Sequence, residues 1–157
     1  MLTSFFSNSK PVHFIVVSLL LFAGCFIYII LDLNEANNYT DIALLLTQNI
    51  IFLLLFLLFS FIIKKNRLSQ SNSYALFLFC CFILTIPLLF KEPNPAFSFF
   101  FLLLALRRIL SLSSKKNSEK KIVDASIWIA IAALFYFWSI LFFIILFIAI
   151  IQLASKN

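Results

Sequence analysis

Three carboxylates, Asp32, Glu35 and Asp41, fall within ten residues of one another in the stretch "LDLNEANNYTDIALLLTQN". Carboxylates this close can act as a general base and its partner, or as ligands to a cation. If the chain runs on from Asp41 as a helix, Asp41, Leu45, Gln48 and Asn49 share a face at spacings i, i+4, i+7 and i+8, which would carry a polar stripe down from the first turn. Two readings stay open. In one, the carboxylates and the stripe form a small site; in the other, which we expect, the acids populate a loop and the amides bond a neighbouring helix. A second constellation is "ALRRILSLSSKKNSEKK", whose six basic residues include Arg107, Arg108, Lys115 and Lys116. Paired guanidinium forks suit a phosphate or pyrophosphate, and the same charges suit anionic lipid headgroups.

Other chemistry is scarce. One glycine, Gly24, leaves no glycine-rich loop to cradle a nucleotide phosphate. The one histidine, His13, has no evident nucleophile beside it and reads as an interfacial residue. Cys25, Cys80 and Cys81 lie in apolar runs without metal-ligand spacing, so neither a disulfide framework nor a metal site is expected. No catalytic constellation is strong enough to name an enzyme, and no cofactor is expected.

The elements that must carry these residues are set by composition. The 157 residues are 64% hydrophobic and 11% charged, with mean hydropathy +1.11; an ordinary soluble domain has about 25% charged residues. The chain is therefore expected to be all-α, a polytopic bundle of transmembrane helices forming a single domain. A crossing takes about 20 apolar residues, and the runs place spans at about 14–31, 42–63, 74–90, 95–112, 122–136 and 139–153. Thr40 and Asp41 mark the start of the second, Asn94-Pro95 the start of the fourth, and Pro87 is expected to bend the third near its end. The last two spans come from a 32-residue run that contains only Asp124 as a charge. That run is too long for one crossing, and a hairpin turning near Tyr136-Phe137-Trp138-Ser139 gives six spans, against five if it is one helix. The 22 phenylalanines accompany abundant Ile, Leu, Lys and Asn and carry no functional weight.

Charge gives orientation. Lys10, the segment 64–67 and the segment 107–121 hold ten of the twelve basic residues, whereas Asp32, Glu35, Asp41 and Glu92 fall in the intervening loops. By the positive-inside rule the N-terminus and both basic segments are cytoplasmic, in a multi-pass protein of the cytoplasmic (inner) membrane. The net charge of +6 follows from that topology, and nucleic-acid binding is not expected. Phe22-Ala23-Gly24-Cys25 has the outline of a lipoprotein cleavage site. The same apolar run continues through 26–31, so the first span is expected to be a retained signal-anchor with Cys25 as a filler inside it.

The strings "SFFSNSKPVHFI", "ALRRILSLSSKKN" and "KKIVDASIWIAIAALFYFWSILFFIILFIAI" resemble an uncharacterised family of polytopic inner-membrane proteins from Bacteroidota, a domain of unknown function. Members of that family continue with further spans, so the chain resembles its N-terminal part. Such sequences sometimes carry a carotene-oxygenase label; that chemistry uses iron held by several histidines, and this chain has His13 alone. A looser likeness, through Asp32 and Glu35 after the first span, is to membrane glycosyltransferases that use polyprenyl-phosphate sugars, although the loop is short and no large outer domain follows. Three functional expectations result. The first is a structural or assembly subunit in contact with the bilayer, its anionic headgroups and other membrane subunits. The second is binding or transfer of a lipid-linked phosphate or sugar. The third is a small transporter component, which the scarcity of glycine disfavours if it depends on broken helices.

Overall fold

A computed structural model describes residues 11–33, 39–68, 73–86, 89, 92–114 and 117–155, and its description of side chains leaves out those of 11, 28–33, 39–42, 44 and 45. Among the described residues there are six α-helices and no strand: α1 (Pro11–Leu33), α2 (Tyr39–Asn66), α3 (Tyr74–Thr85), α4 (Pro93–Leu110), α5 (Ser118–Phe135) and α6 (Phe142–Ala154). Short 3₁₀ turns, Ser111–Ser114 and Phe137–Leu141, follow α4 and precede α6. The chain divides into two units, Met1–Pro93 and Asn94–Asn157.

In the first unit the buried face of α1 is the four-residue repeat His13, Val17, Leu21 and Cys25, a single stripe of a helix. Its other faces carry exposed Leu19, Phe22, Phe26 and Ile27. All sides are apolar, and the buried one is marked by its polar and small members; a surface in contact with lipid tails gains nothing from polarity. Phe14 packs on Phe56 with ring centroids 5.1 Å apart, and the Lys64 ammonium lies 5.1 Å from the Phe14 ring. The start of α1 thus meets the last turns of α2, and the two run antiparallel. Against α3 the order is parallel: Cys80 Sγ lies 3.8 Å from the Val17 carbonyl oxygen, and Gly24 meets the end of Leu84. Phe59 stacks on Phe79 at 4.0 Å and closes α2 onto α3.

Helix ends follow from local chemistry. Proline opens both α1 and α4, where its missing N–H has no partner to lose. Expectation had put Pro95 in that position; Pro93 takes it. Helix α2 starts at Tyr39, so Thr40 and Asp41 lie inside its first turn. It stops at left-handed Arg67 (φ 50°), with the Leu68 N–H donating 3.2 Å back to the Ile63 carbonyl.

The third expected span, 74–90, falls only partly within the described residues. Helix α3 ends at Thr85, and Ile86 is extended at φ −104°, ψ 93°. The residue before a proline is disfavoured in the α region, which accounts for the extended Ile86; Leu89 is helical again, and Pro87 itself, where the bend was expected, lies outside the described residues. The 12 residues of α3 cover about 18 Å against about 30 Å of hydrocarbon.

In the second unit α4 and α5 run antiparallel. Phe97 stacks on Phe135 at 5.5 Å, Ser98 bonds at Ala132, Phe101 stacks on Trp128 at 5.8 Å, and Arg108 pairs with Asp124. The helices approach through small residues, Ala96, Ser98, Ala105, Ala125 and Ala132, each essentially fully buried. Ala and Ser thereby supply the close packing for which membrane helices often use glycine. Ala105, Ile109, Ala125, Ile129 and Leu146 form the core, with Trp128, Phe142, Ala149 and Ile150 against it.

The apolar tail is broken where a turn was expected. Tyr136 is extended (φ −145°, ψ 108°), the chain passes through the 3₁₀ turn, and α6 returns along α5 until Ala149, Gln152 and Leu153 face Ile109, Leu112 and Ser113. Helix α5 differs from the expected span at 122–136, starting at Ser118 and taking in Glu119, Lys120, Lys121 and Asp124. Three stretches among the described residues are long and apolar enough to cross a membrane: Leu46–Asn66, Pro93–Ser114 and Phe137–Ala154.

Candidate functional site

Of the three carboxylates Asp32, Glu35 and Asp41, the backbone of two is described. Asp32 lies in the last turn of α1 and Asp41 in the first turn of α2, while Glu35 falls outside the described residues. The side chains of Asp32 and Asp41 are likewise outside the description. Lower on the stripe, Asn49 is half-buried and Gln48 is buried. The Gln48 Nε2 donates to the carbonyl oxygen of Leu89, beyond the end of α3. The bond ties the buried amide to a backbone acceptor of another segment, as buried polar groups require.

Arg107 and Arg108 sit in the last turn of α4, where cations complement the helix C-terminus. Arg107 is half-buried; Arg108 is more exposed, and its Nη2 lies 3.0 Å from Asp124 Oδ2. At 46% and 40% exposure this pair is a lateral tie between α4 and α5, of the surface class that contributes about 0–1 kcal/mol. Lys121, one helical turn before Asp124, reaches back over the 3₁₀ turn. Its ammonium donates to the Ser111 carbonyl oxygen at 2.7 Å and to Ser114 Oγ at 2.6 Å. One of the carbonyls freed at the end of α4 is thus satisfied by a side chain from the next helix. Lys120 is exposed. Lys115 and Lys116 fall outside the described residues.

Beside this turn lies a cleft of about 210 Å³, lined by Ile109, Leu112 and Ser113 on one wall and Ala149, Gln152 and Leu153 on the other. Its polar groups are Ser113, whose Oγ donates 3.1 Å to the Leu110 carbonyl, and the exposed Gln152.

A third polar cluster was not anticipated from the sequence. Ser98 Oγ is 2.9 Å from the Ala132 carbonyl oxygen and 2.5 Å from Ser139 Oγ, and both serines are buried. Ser98 has one proton, and it goes to the carbonyl, so Ser139 donates to Ser98. The Ala132 oxygen also accepts the Tyr136 N–H at 3.0 Å. The only signal was position: Ser139 falls in the expected turn, and an antiparallel α4 would bring Ser98 to its level. The same argument would have paired Arg108 with Asp124, which stand roughly equidistant from Asn117. His13, expected at the interface, is buried on the inner stripe of α1. Among the described residues no three His, Cys, Asp or Glu side chains come together as a metal could require.

Comparison with protein-family models, with curated proteins and with solved structures gives no match.

Proposed function

We propose that this protein is a structural or assembly subunit of a larger complex in the bacterial cytoplasmic membrane, crossing it several times with its N-terminus and both basic segments inside. The observation that carries the reading is the last apolar stretch, Phe137–Ala154. It is long enough to span, yet only 11% of it is buried within the chain. Phe143, Ile144, Phe147, Ile148 and Ile151 all point outward. Buried polar groups of the described helices, by contrast, are spent internally: Gln48 on Leu89, Cys80 toward Val17, and Ser98 on Ala132 and Ser139. A helix bundle that satisfies its own polar groups and leaves one spanning helix bare supports a role in packing against other helices. The basic segments then rest among anionic headgroups.

Purification from the native membrane in mild detergent, followed by native mass spectrometry, tests this. A second protein in fixed stoichiometry is expected, lost in Phe147→Ala with helix content unchanged. Recovery of the chain alone, or equal partner retention in Phe147→Ala, would overturn the reading. The alternative, binding or transfer of a lipid-linked phosphate or sugar, draws support from Arg107, Lys120 and Lys121 gathered at one end of α4 and α5. A polyprenyl-phosphate species retained in place of a protein partner would favour it.

A further inference from the structure

We propose that the cleft between the end of α4 and the end of α6 is a binding site for one anionic phospholipid, with an acyl chain in the cleft and the headgroup phosphate beside Lys121 at the 3₁₀ turn Ser111–Ser114. The inference rests on the reading of these helices as bilayer-embedded and is independent of the assembly role.

Shape supplies the first part of the argument. Ile109 and Leu112 form a buried apolar floor, and Ala149 on α6 stands opposite with a side chain too short to fill the space. The cleft therefore persists because a small residue faces the 3₁₀ turn. Its walls are apolar except at the lip, where Ser113 and Gln152 stand exposed in the last turns of the two walls. That grading, apolar within and polar at the mouth, matches a chain entering from below a headgroup.

Charge supplies the second part and selects the headgroup. Among the described residues of the connection and its flanking turns, Arg107, Arg108, Lys120 and Lys121 face two acids, Glu119 and Asp124. Asp124 is engaged by Arg108, and Lys121 is fixed on Ser111 and Ser114, which flank the cleft-lining Leu112 and Ser113. The ammonium is thus held one residue from the cleft on either side, bonded among the described residues to neutral oxygens and not to a carboxylate, where an incoming phosphate can meet it. A zwitterionic headgroup would bring its own cation into this field and be disfavoured relative to an anionic one.

The test is native mass spectrometry of the full chain in detergent micelles doped with equal amounts of phosphatidylglycerol and phosphatidylcholine. One phosphatidylglycerol per chain is expected, retained at least several-fold over phosphatidylcholine. Ala149→Phe, which fills the cleft, is expected to abolish retention of both lipids. Lys120→Gln/Lys121→Gln is expected to remove the preference between them while leaving a chain bound. Equal retention of the two lipids by the natural sequence, or undiminished retention in Ala149→Phe with normal helix content, would overturn the proposal. If Ala149→Phe does not fold, Ser113→Phe, at the exposed lip, carries the same expectation and the same refutation. Loss of a protein partner in these spectra would bear on the assembly role alone, because the lipid is scored on the isolated chain.

Discussion

Ser98 and Ser139 show what a single hydroxyl can do in a buried place. Each alone is an ordinary helix or turn serine that could bond its own backbone, as Ser18 does with Ile15 at 2.9 Å and Ser126 with Val123 at 2.7 Å. Ser98 instead reaches across to Ala132, and Ser139 donates to it. Removing Ser98 strands the Ser139 hydroxyl in a buried place, whereas the Ala132 oxygen keeps the Tyr136 N–H. An unmet buried group costs about 1–3 kcal/mol in soluble proteins. Cycles within membranes average about 0.6 kcal/mol, because the unfolded helices also find partners in the bilayer. The lower figure should govern here. We expect Ser98→Ala to cost about 1 kcal/mol and Ser139→Ala less, since Ser98 then keeps its bond to Ala132, with a coupling of about 0.6 kcal/mol in the double variant. Dodecyl sulfate unfolding in micelles measures this, and strictly additive effects would show that the two hydroxyls do not act as a pair.

At the scale of elements, the first unit depends on a close approach of α1 to α3. A Cβ added at Gly24 would fall on Leu84 Cδ2, with Cδ1 at 3.1 Å, so the obstacle is the tip of a flexible side chain. Gly24→Ala should therefore turn Leu84 aside at small cost and recover about 0.5–1 kcal/mol of helix propensity, leaving stability near neutral. Gly24→Leu cannot be accommodated by that movement and should cost about 1–3 kcal/mol as overpacking. The same unfolding assay distinguishes them; equal losses would mean that the approach involves backbone, not the Leu84 tip. The sequence made the helices themselves legible, because apolar runs of this length have few other structures open to them in lipid. It did not show which face of α1 is inward, since every face is apolar; the polar and small residues His13 and Cys25 were the usable sign. Nor did hydropathy, which runs on past Ile86, show the break in the helix there, where the following Pro87 disfavours the α region.

For the whole molecule, the prediction is one of sidedness. The cations that end α2, Lys64, Lys65 and Arg67, and those flanking the α4–α5 connection should lie together in the cytoplasm. In a variant without Cys25, Cys80 and Cys81, Leu68→Cys and Ser114→Cys should react with an impermeant thiol reagent only in inside-out vesicles. Glu92→Cys should react only from outside. Labelling of positions 68 and 114 from opposite sides would refute the arrangement, because it would put the two basic segments on different faces of the membrane.

Composition by itself determined that the chain is helical and suited to a bilayer, because 64% apolar residues in long runs cannot be hidden inside 157 residues of soluble protein. The charge pattern set an expected sidedness, because basic loops resist export. The tertiary structure decided what the pattern left undetermined. The turn at Tyr136 contains neither Gly nor Pro, and its place is marked by Ser139 tied to Ser98 on another helix. Arg108 and Lys121 were legible as charges, but their partners Asp124, Ser111 and Ser114 become neighbours only when α5 folds back on α4. Hydropathy is a property of one residue at a time, whereas a hydrogen bond or an ion pair needs two, and only the packed helices bring the second.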